Sequence, residues 1–111
     1  MKKMLFISML LIAGCATPQE IMQRPPDTTR SLKLDPQAAA LCITRNIEAR
    51  ATNILVDRRP DGENWELISK VMGEAITVYV IARIRPEGTG SHATLWAPAG
   101  ISEVERIIKG C

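Results

Sequence analysis

The sequence predicts an α+β domain: a helix, a four-stranded antiparallel meander and a second helix, with both helices on one face of the sheet. Two changes of hydrophobic period carry this prediction. Apolar residues recur at spacings of three and four just after Asp35 and again after Gly100, whereas between residues 52 and 97 they tend to alternate, the period of a half-buried strand. A third observation ties the two ends together, because Cys42 lies in the first helical stripe and Cys111 at the end of the second.

The first helix starts at Asp35-Pro36, an aspartate placed to cap and a proline suited to the first helical position. Ala39, Cys42, Ile43, Asn46 and Ile47 share one face of it. Asn46, the polar member of that stripe, reads as an amide bonded to neighbouring backbone, with a ligand contact as the alternative. Residues 53–58 form a short β-branched run and 59–64 a turn-rich link. Residues 65–71 read as a second strand with Trp65, Leu67 and Val71 on one face, although Trp65, Ile68 and Met72 fit a helical spacing too.

The clearest strand covers 76–85. Ile76, Val78, Val80, Ala82 and Ile84 hold its even positions; Thr77, Tyr79, Ile81, Arg83 and Arg85 hold its odd ones. Unbroken alternation assigns the even face to the core and the odd face to solvent or a partner. Residues 86–91 supply a loop, and 92–97 return as the last strand, ended by Pro98 and Gly100. Ser102 and Glu105 have the spacing of a capping box, and Ile101, Val104, Ile107 and Ile108 trace the apolar stripe of the closing helix, with Gly110 suited to end it.

Before residue 35 the character of the chain differs. Lys2 and Lys3 precede an apolar run over 4–14, a cationic and then a hydrophobic segment of signal-peptide length, too short to cross about 30 Å of hydrocarbon. In Ile12-Ala13-Gly14-Cys15 a branched aliphatic and two small residues precede a cysteine, and the segment resembles the lipobox of bacterial lipoproteins. The resemblance implies that 1–14 is a signal peptide cut before Cys15 and that the Cys15 thiol carries diacylglycerol. Because Ala16 follows instead of aspartate, it also implies an outer-membrane destination, on the periplasmic side. Residues 15–34, with Pro18, Pro25 and Pro26 among polar residues, then read as the lipidated cysteine and a flexible tether spanning about 25 Å. Residues 35–111 are the expected folded domain.

Removing fourteen residues from 111 leaves 97, enough for one domain. Losing Lys2 and Lys3 leaves twelve basic residues against twelve acidic ones, a balance without the electrostatic footprint of a nucleic-acid binder. With Trp65, Trp96 and Tyr79 as its aromatics the mature chain builds a modest, aliphatic core, and a domain of that size needs reinforcement. In an oxidising periplasm the two remaining cysteines, Cys42 and Cys111, are an even pair and are expected to form a disulfide between the helices.

No catalytic, metal or cofactor constellation assembles from the sequence. His92, the sole histidine, follows a glycine-rich loop, no nucleophile-elbow pattern surrounds any serine, and the imidazole reads as an exposed loop residue. Gly88-Thr89-Gly90 lacks the Gly-Lys-Ser/Thr that a phosphate loop requires. Asp57, Asp61, Glu63 and Glu66 cluster without the regular alternation of a calcium loop, and Glu103 and Glu105 suit the first turn of a helix. There remains the odd face of strand 76–85. Tyr79, Ile81, Arg83 and Arg85, with Arg58 or Arg59 nearby, make a candidate patch for an envelope protein or an anionic glycan or lipid; the alternative is a solvated face whose arginines pair with Glu66 or Asp57. The expected function is that of a non-enzymatic, lipid-anchored envelope accessory protein that binds an envelope or secretion-machinery partner through its open sheet face. The competing expectation is a small periplasmic inhibitor or small-ligand binder with a pocket near Asn46 or Trp65.

Overall fold

Thr17 opens the described chain with a capping box. Its hydroxyl accepts from the Glu20 amide, the Glu20 carboxylate reaches back to the Thr17 amide, and Pro18 takes the first position of a short helix, α1 (Pro18–Met22). The computed structural model describes residues 16–111; the expected signal peptide, 1–14, and Cys15, the expected lipidation site, lie outside the described residues. After α1 come β1 (Thr28–Leu32), α2 (Pro36–Glu48), β2 (Ile54–Asp61), β3 (Asn64–Met72), β4 (Ile76–Glu87), β5 (Gly90–Trp96) and α3 (Ile101–Ile107).

The strands form one antiparallel sheet in the order β1-β5-β4-β3-β2. The expected four-stranded meander is therefore its β2–β5 part, and β1 adds a fifth strand at the free edge of β5. This corrects the reading of 16–34 as a flexible tether. Backbone pairing of β1 with β5, running from Thr28 opposite Leu95 to Leu32 opposite Ser91, builds these residues into the domain. The segment between α1 and β1 is pinned as well: Trp96 Nε1 donates to the Arg24 carbonyl at 2.9 Å, and the Ala97 amide donates to Asp27 Oδ2 at 2.7 Å. At the start of β5, a Cβ on Gly90 would stand 2.2 Å from the Leu32 carbonyl oxygen, so only glycine lets the end of β1 approach this closely.

Residues 64–72 are a strand, not a helix, and β2 runs on through Arg59, Pro60 and Asp61, which sequence patterning assigns to a link. Pro60 is tolerated because β2 is an edge strand, where a missing amide donor leaves no partner unsatisfied.

Of the three helices, α2 and α3 lie on one face of the sheet. Asp35 caps α2, accepting from the Ala38 amide at 2.8 Å, and Ala39, Ala40, Ile43 and Ile47 then bury against Leu67, Val80, Ala82, Ile84, Ala93 and Leu95. Val104 and Ile107 of α3 join the same cluster. The Cys42–Cys111 disulfide links the two helical segments with Cα atoms 5.8 Å apart. Asn46 seals the junction: its amide donates to the carbonyls of Ile107 and Lys109 at 2.8 and 3.0 Å, so the side chain satisfies helix-end backbone and is not left for a ligand. Gly110, at a φ of 78°, turns the chain beyond α3 so that the Cys111 carbonyl accepts from Leu34.

Two local readings need correction. Gly100, not Ser102, precedes α3, and no side chain caps that helix. Glu103 does lie in the first turn, but both carboxylates also bind groups outside the helix, Glu105 to Arg30 and Glu103 to Tyr79 and Arg50. The second correction concerns β4. Ser69 pairs with Val80 and Lys70 with Val78, so Tyr79 is an extra residue in β4 at a bulge. Val80, Ala82 and Ile84 face the helices as expected, but Tyr79 joins them there, and beyond it Val78 turns to the opposite side. One inserted residue reverses the alternation for the rest of the strand.

Candidate functional site: the outer face of the sheet

The sheet face away from α2 and α3 has three zones, set by strand register and by α1. In the centre, Ile68 of β3, Ile81 of β4 and Trp96 of β5 are cross-strand neighbours, and Ile21 of α1 closes over them. Ile81 is fully buried here, so the candidate binding residue expected at the middle of an open face lies beneath a helix. Tyr79 is buried on the other side of the sheet. The structure thus separates the four candidates: Arg83 and Arg85 remain together on the outer face, while Ile81 and Tyr79 belong to two different apolar clusters.

Tyr79 has a structural task. Its hydroxyl donates to Glu103, to which Arg50 Nε also donates at 3.2 Å, tying β4 to α3 and to the segment after α2. The bonded tyrosine and then Arg50 hold the Glu103 carboxyl below its ordinary value, while burial, followed by the neighbouring Glu103, pushes the Tyr79 phenol up. A depressed carboxyl contributes stability above its unfolded-state value and loses it as pH falls through the folded-state one; a raised phenol contributes below its unfolded value and loses it at higher pH. Thermal melts are therefore expected to weaken on acidification below the ordinary carboxyl value of 4.5, and Glu103→Gln to flatten that acid limb. An identical acid limb in the variant would contradict this assignment.

The second zone is polar, at the end of β4 near the β4–β5 turn. Arg83 Nε donates to Glu66 Oε2 at 3.1 Å across strands, and its guanidinium stands 5.8 Å from the Trp96 ring centre. Arg85 is looser: the nearest carboxylate oxygen, from Glu87, is 3.9 Å away, and the side chain is 58% exposed. Asn64, Glu66, Arg83, Arg85 and Thr94 line a shallow cleft of about 330 Å³ here. On β2, Arg59 pairs with Asp57 at 2.8 Å. The competing picture of paired arginines therefore describes Arg83 and Arg59 but fits Arg85 poorly.

His92 lies within β5, opposite Ser31 and Arg85, not in an exposed loop. Glu87 accepts from Ser31 Oγ at 3.1 Å and stands 3.3 Å from His92 Nδ1, a contact that becomes an ion pair when the imidazole is protonated. The carboxylate sits between the hydroxyl and the imidazole. In a catalytic triad the imidazole must sit between the other two, so this arrangement leaves Ser31 unactivated. Gly88 and Thr89 form a tight two-residue hairpin turn between β4 and β5, and Gly90 already pairs with Glu87. Among the described residues, no group of three or more histidine, cysteine, aspartate or glutamate side chains could hold a metal ion, and no helix is long and apolar enough to cross a membrane.

The third zone is apolar, at the Ile76 end of β4. Leu55 of β2, Met72 of β3 and Ile76 of β4 project from the outer face and are exposed. The sequence hides this zone, because even numbering places Ile76 on the core side; only the bulge at Tyr79 moves it out.

Comparison with family models, with curated proteins and with solved structures finds no match to this chain.

Proposed function

We propose that the chain is a non-enzymatic, lipid-anchored accessory protein of the bacterial envelope that engages an envelope partner through the Arg83 and Arg85 end of its outer sheet face. The observation that carries the reading is the Arg85 guanidinium: exposed, more than a hydrogen bond from its nearest carboxylate, and beside Arg83 at the rim of a cleft. Guanidinium groups recognise carboxylate and phosphate in a fixed forked geometry, so an anionic protein segment or glycan suits this rim. Acylation at Cys15, implied by the lipobox, supplies the address.

The test uses intact cells carrying wild-type chain, Arg85→Glu, or Arg83→Glu with Arg85→Glu, crosslinked and purified. Arg85→Glu alone leaves the Arg83–Glu66 pair in place and is the cleaner variant. Loss of an interfacial arginine removes on the order of 1–3 kcal/mol, so recovery of crosslinked partner should fall about fivefold or more while the disulfide and melting temperature persist. Unchanged recovery from the double variant defeats the proposal.

A further inference from the structure

We propose that the apolar zone around Leu55, Met72 and Ile76 is a membrane-resting face, seated in the interfacial layer of the bilayer that holds the anchor. The inference rests on the lipoprotein reading and adds to it an orientation. Leu55 is 59% exposed and Ile76 62%, and Met72 pairs directly with Ile76 while standing diagonally from Leu55 on the adjoining strand. Three large apolar side chains thus form one contiguous exposed patch at one end of a single face, where isolated exposed residues would need no explanation.

Chain geometry selects the occupant. Ala16 packs against the Ile21 cluster and lines a cleft with Ile21, Val78 and Ile76. Ile76 also lines the neighbouring cleft with Leu55, Met72 and Lys70, so a continuous surface leads from Ala16 to the patch. Cys15 directly precedes Ala16 in the sequence, so an anchor on its thiol, as the lipoprotein reading has it, holds the chain to the bilayer at this surface. With residues 16–34 folded into the domain, no tether lifts this surface clear of the lipid. The patch is placed where apolar side chains reach the boundary between headgroups and acyl chains.

Charge around the patch is mixed. Lys70 stands within it, between Leu55 and Val78, where a long apolar stem can lie in the interface with its ammonium at the phosphates, and Arg24 flanks Ala16. Glu48 and Asp57 border the other side, Asp57 already paired with Arg59. The seating is accordingly apolar in origin and does not depend on anionic lipid. Arg85 lies nine residues along β4 from Ile76, roughly 30 Å at 3.3 Å per residue, so the arginine rim and the apolar patch stand at opposite ends of the outer face.

The acylated protein, reconstituted into vesicles of phosphatidylethanolamine and phosphatidylglycerol that contain a phospholipid with a photoreactive acyl chain, is irradiated and its peptides are mapped by mass spectrometry. Lipid adducts are expected on the peptides carrying Leu55 and 72–78 as well as on the amino-terminal peptide. In Leu55→Ser with Ile76→Ser the first two should fall at least fivefold while the amino-terminal adduct stays; both positions are exposed, and an intact Cys42–Cys111 disulfide with an unchanged melt verifies the fold. Adducts confined to an acylated amino-terminal peptide overturn this inference and leave the anchor standing. Lys70-to-Lys70 crosslinks between two protein copies, formed when an amine-reactive bifunctional reagent is added to the same vesicles, overturn it in favour of self-association. An amino-terminal peptide without acyl mass removes the anchor reading, and this inference with it.

Discussion

Replacing Cys42 and Cys111 together by serine is expected to lower the unfolding free energy by roughly 4 kcal/mol, read from urea denaturation of the oxidised wild type against the variant. The two cysteines are 69 residues apart, so the bond removes the closure entropy of most of the folded chain from the denatured ensemble. That effect is comparable with the entire stability of many small domains. Other contacts at the same junction, the Asn46 amide on the α3 carbonyls and Leu34 on the Cys111 carbonyl, persist without the bond and hold the local geometry. The variant should therefore fold at low temperature and melt early. Reduction of the wild type by a thiol should reproduce the loss, and a change below about 1 kcal/mol would mean that the staple adds little beyond these hydrogen bonds.

Ile81→Ala is expected to cost about 2–5 kcal/mol, the range for removing a fully buried aliphatic side chain when its surroundings cannot collapse. Were the outer face open along its length, the same substitution would fall within about 0.5 kcal/mol, as surface changes do. The large value requires α1 to stay docked, because Ile21 completes the burial of Ile81. Ile21→Asp should accordingly release α1 and expose Trp96, whose indole donates to the Arg24 carbonyl at the same junction, shifting its fluorescence to longer wavelength. A small cost for Ile81→Ala, with no fluorescence change in Ile21→Asp, would contradict a docked α1.

These two effects mark the boundary of what the sequence discloses. The disulfide is legible because an even cysteine pair falls on the inward stripe of α2 and just beyond the apolar stripe of α3. Asp35-Pro36 announces α2, and the run before Pro86 announces β4, since each combines a local signal with a sustained period. β1 escapes notice because Thr28-Thr29-Arg30-Ser31-Leu32 buries only Leu32, as an edge strand can, and because prolines nearby suggest coil. α1 has a local signal in Thr17-Pro18-Gln19-Glu20, a cap followed by proline and the reciprocal glutamate, but five residues with one buried side chain generate no periodicity to support it.

The candidate site was blurred by a different cause. A bulge leaves no mark when the residues on both sides of it are apolar: Ile76 and Val78 look like a continuation of Val80, Ala82 and Ile84, although Tyr79 has reversed the faces between them. Register alone decides that Tyr79 serves Glu103, that Ile81 lies beneath α1 and that Ile76 is exposed. Arg83 and Arg85 lie on the far side of the bulge, where period two holds, and their common face could be read from the sequence.

The most direct test is the mass of the chain recovered from the membrane fraction of its native cells. The account predicts a polypeptide that begins at Cys15, carries the added mass of diacylglycerol with a further acyl group on the new amino terminus, and is two hydrogens lighter for the Cys42–Cys111 bond. An unprocessed chain starting at Met1, found in the cytoplasm with its three thiols reduced, would contradict it.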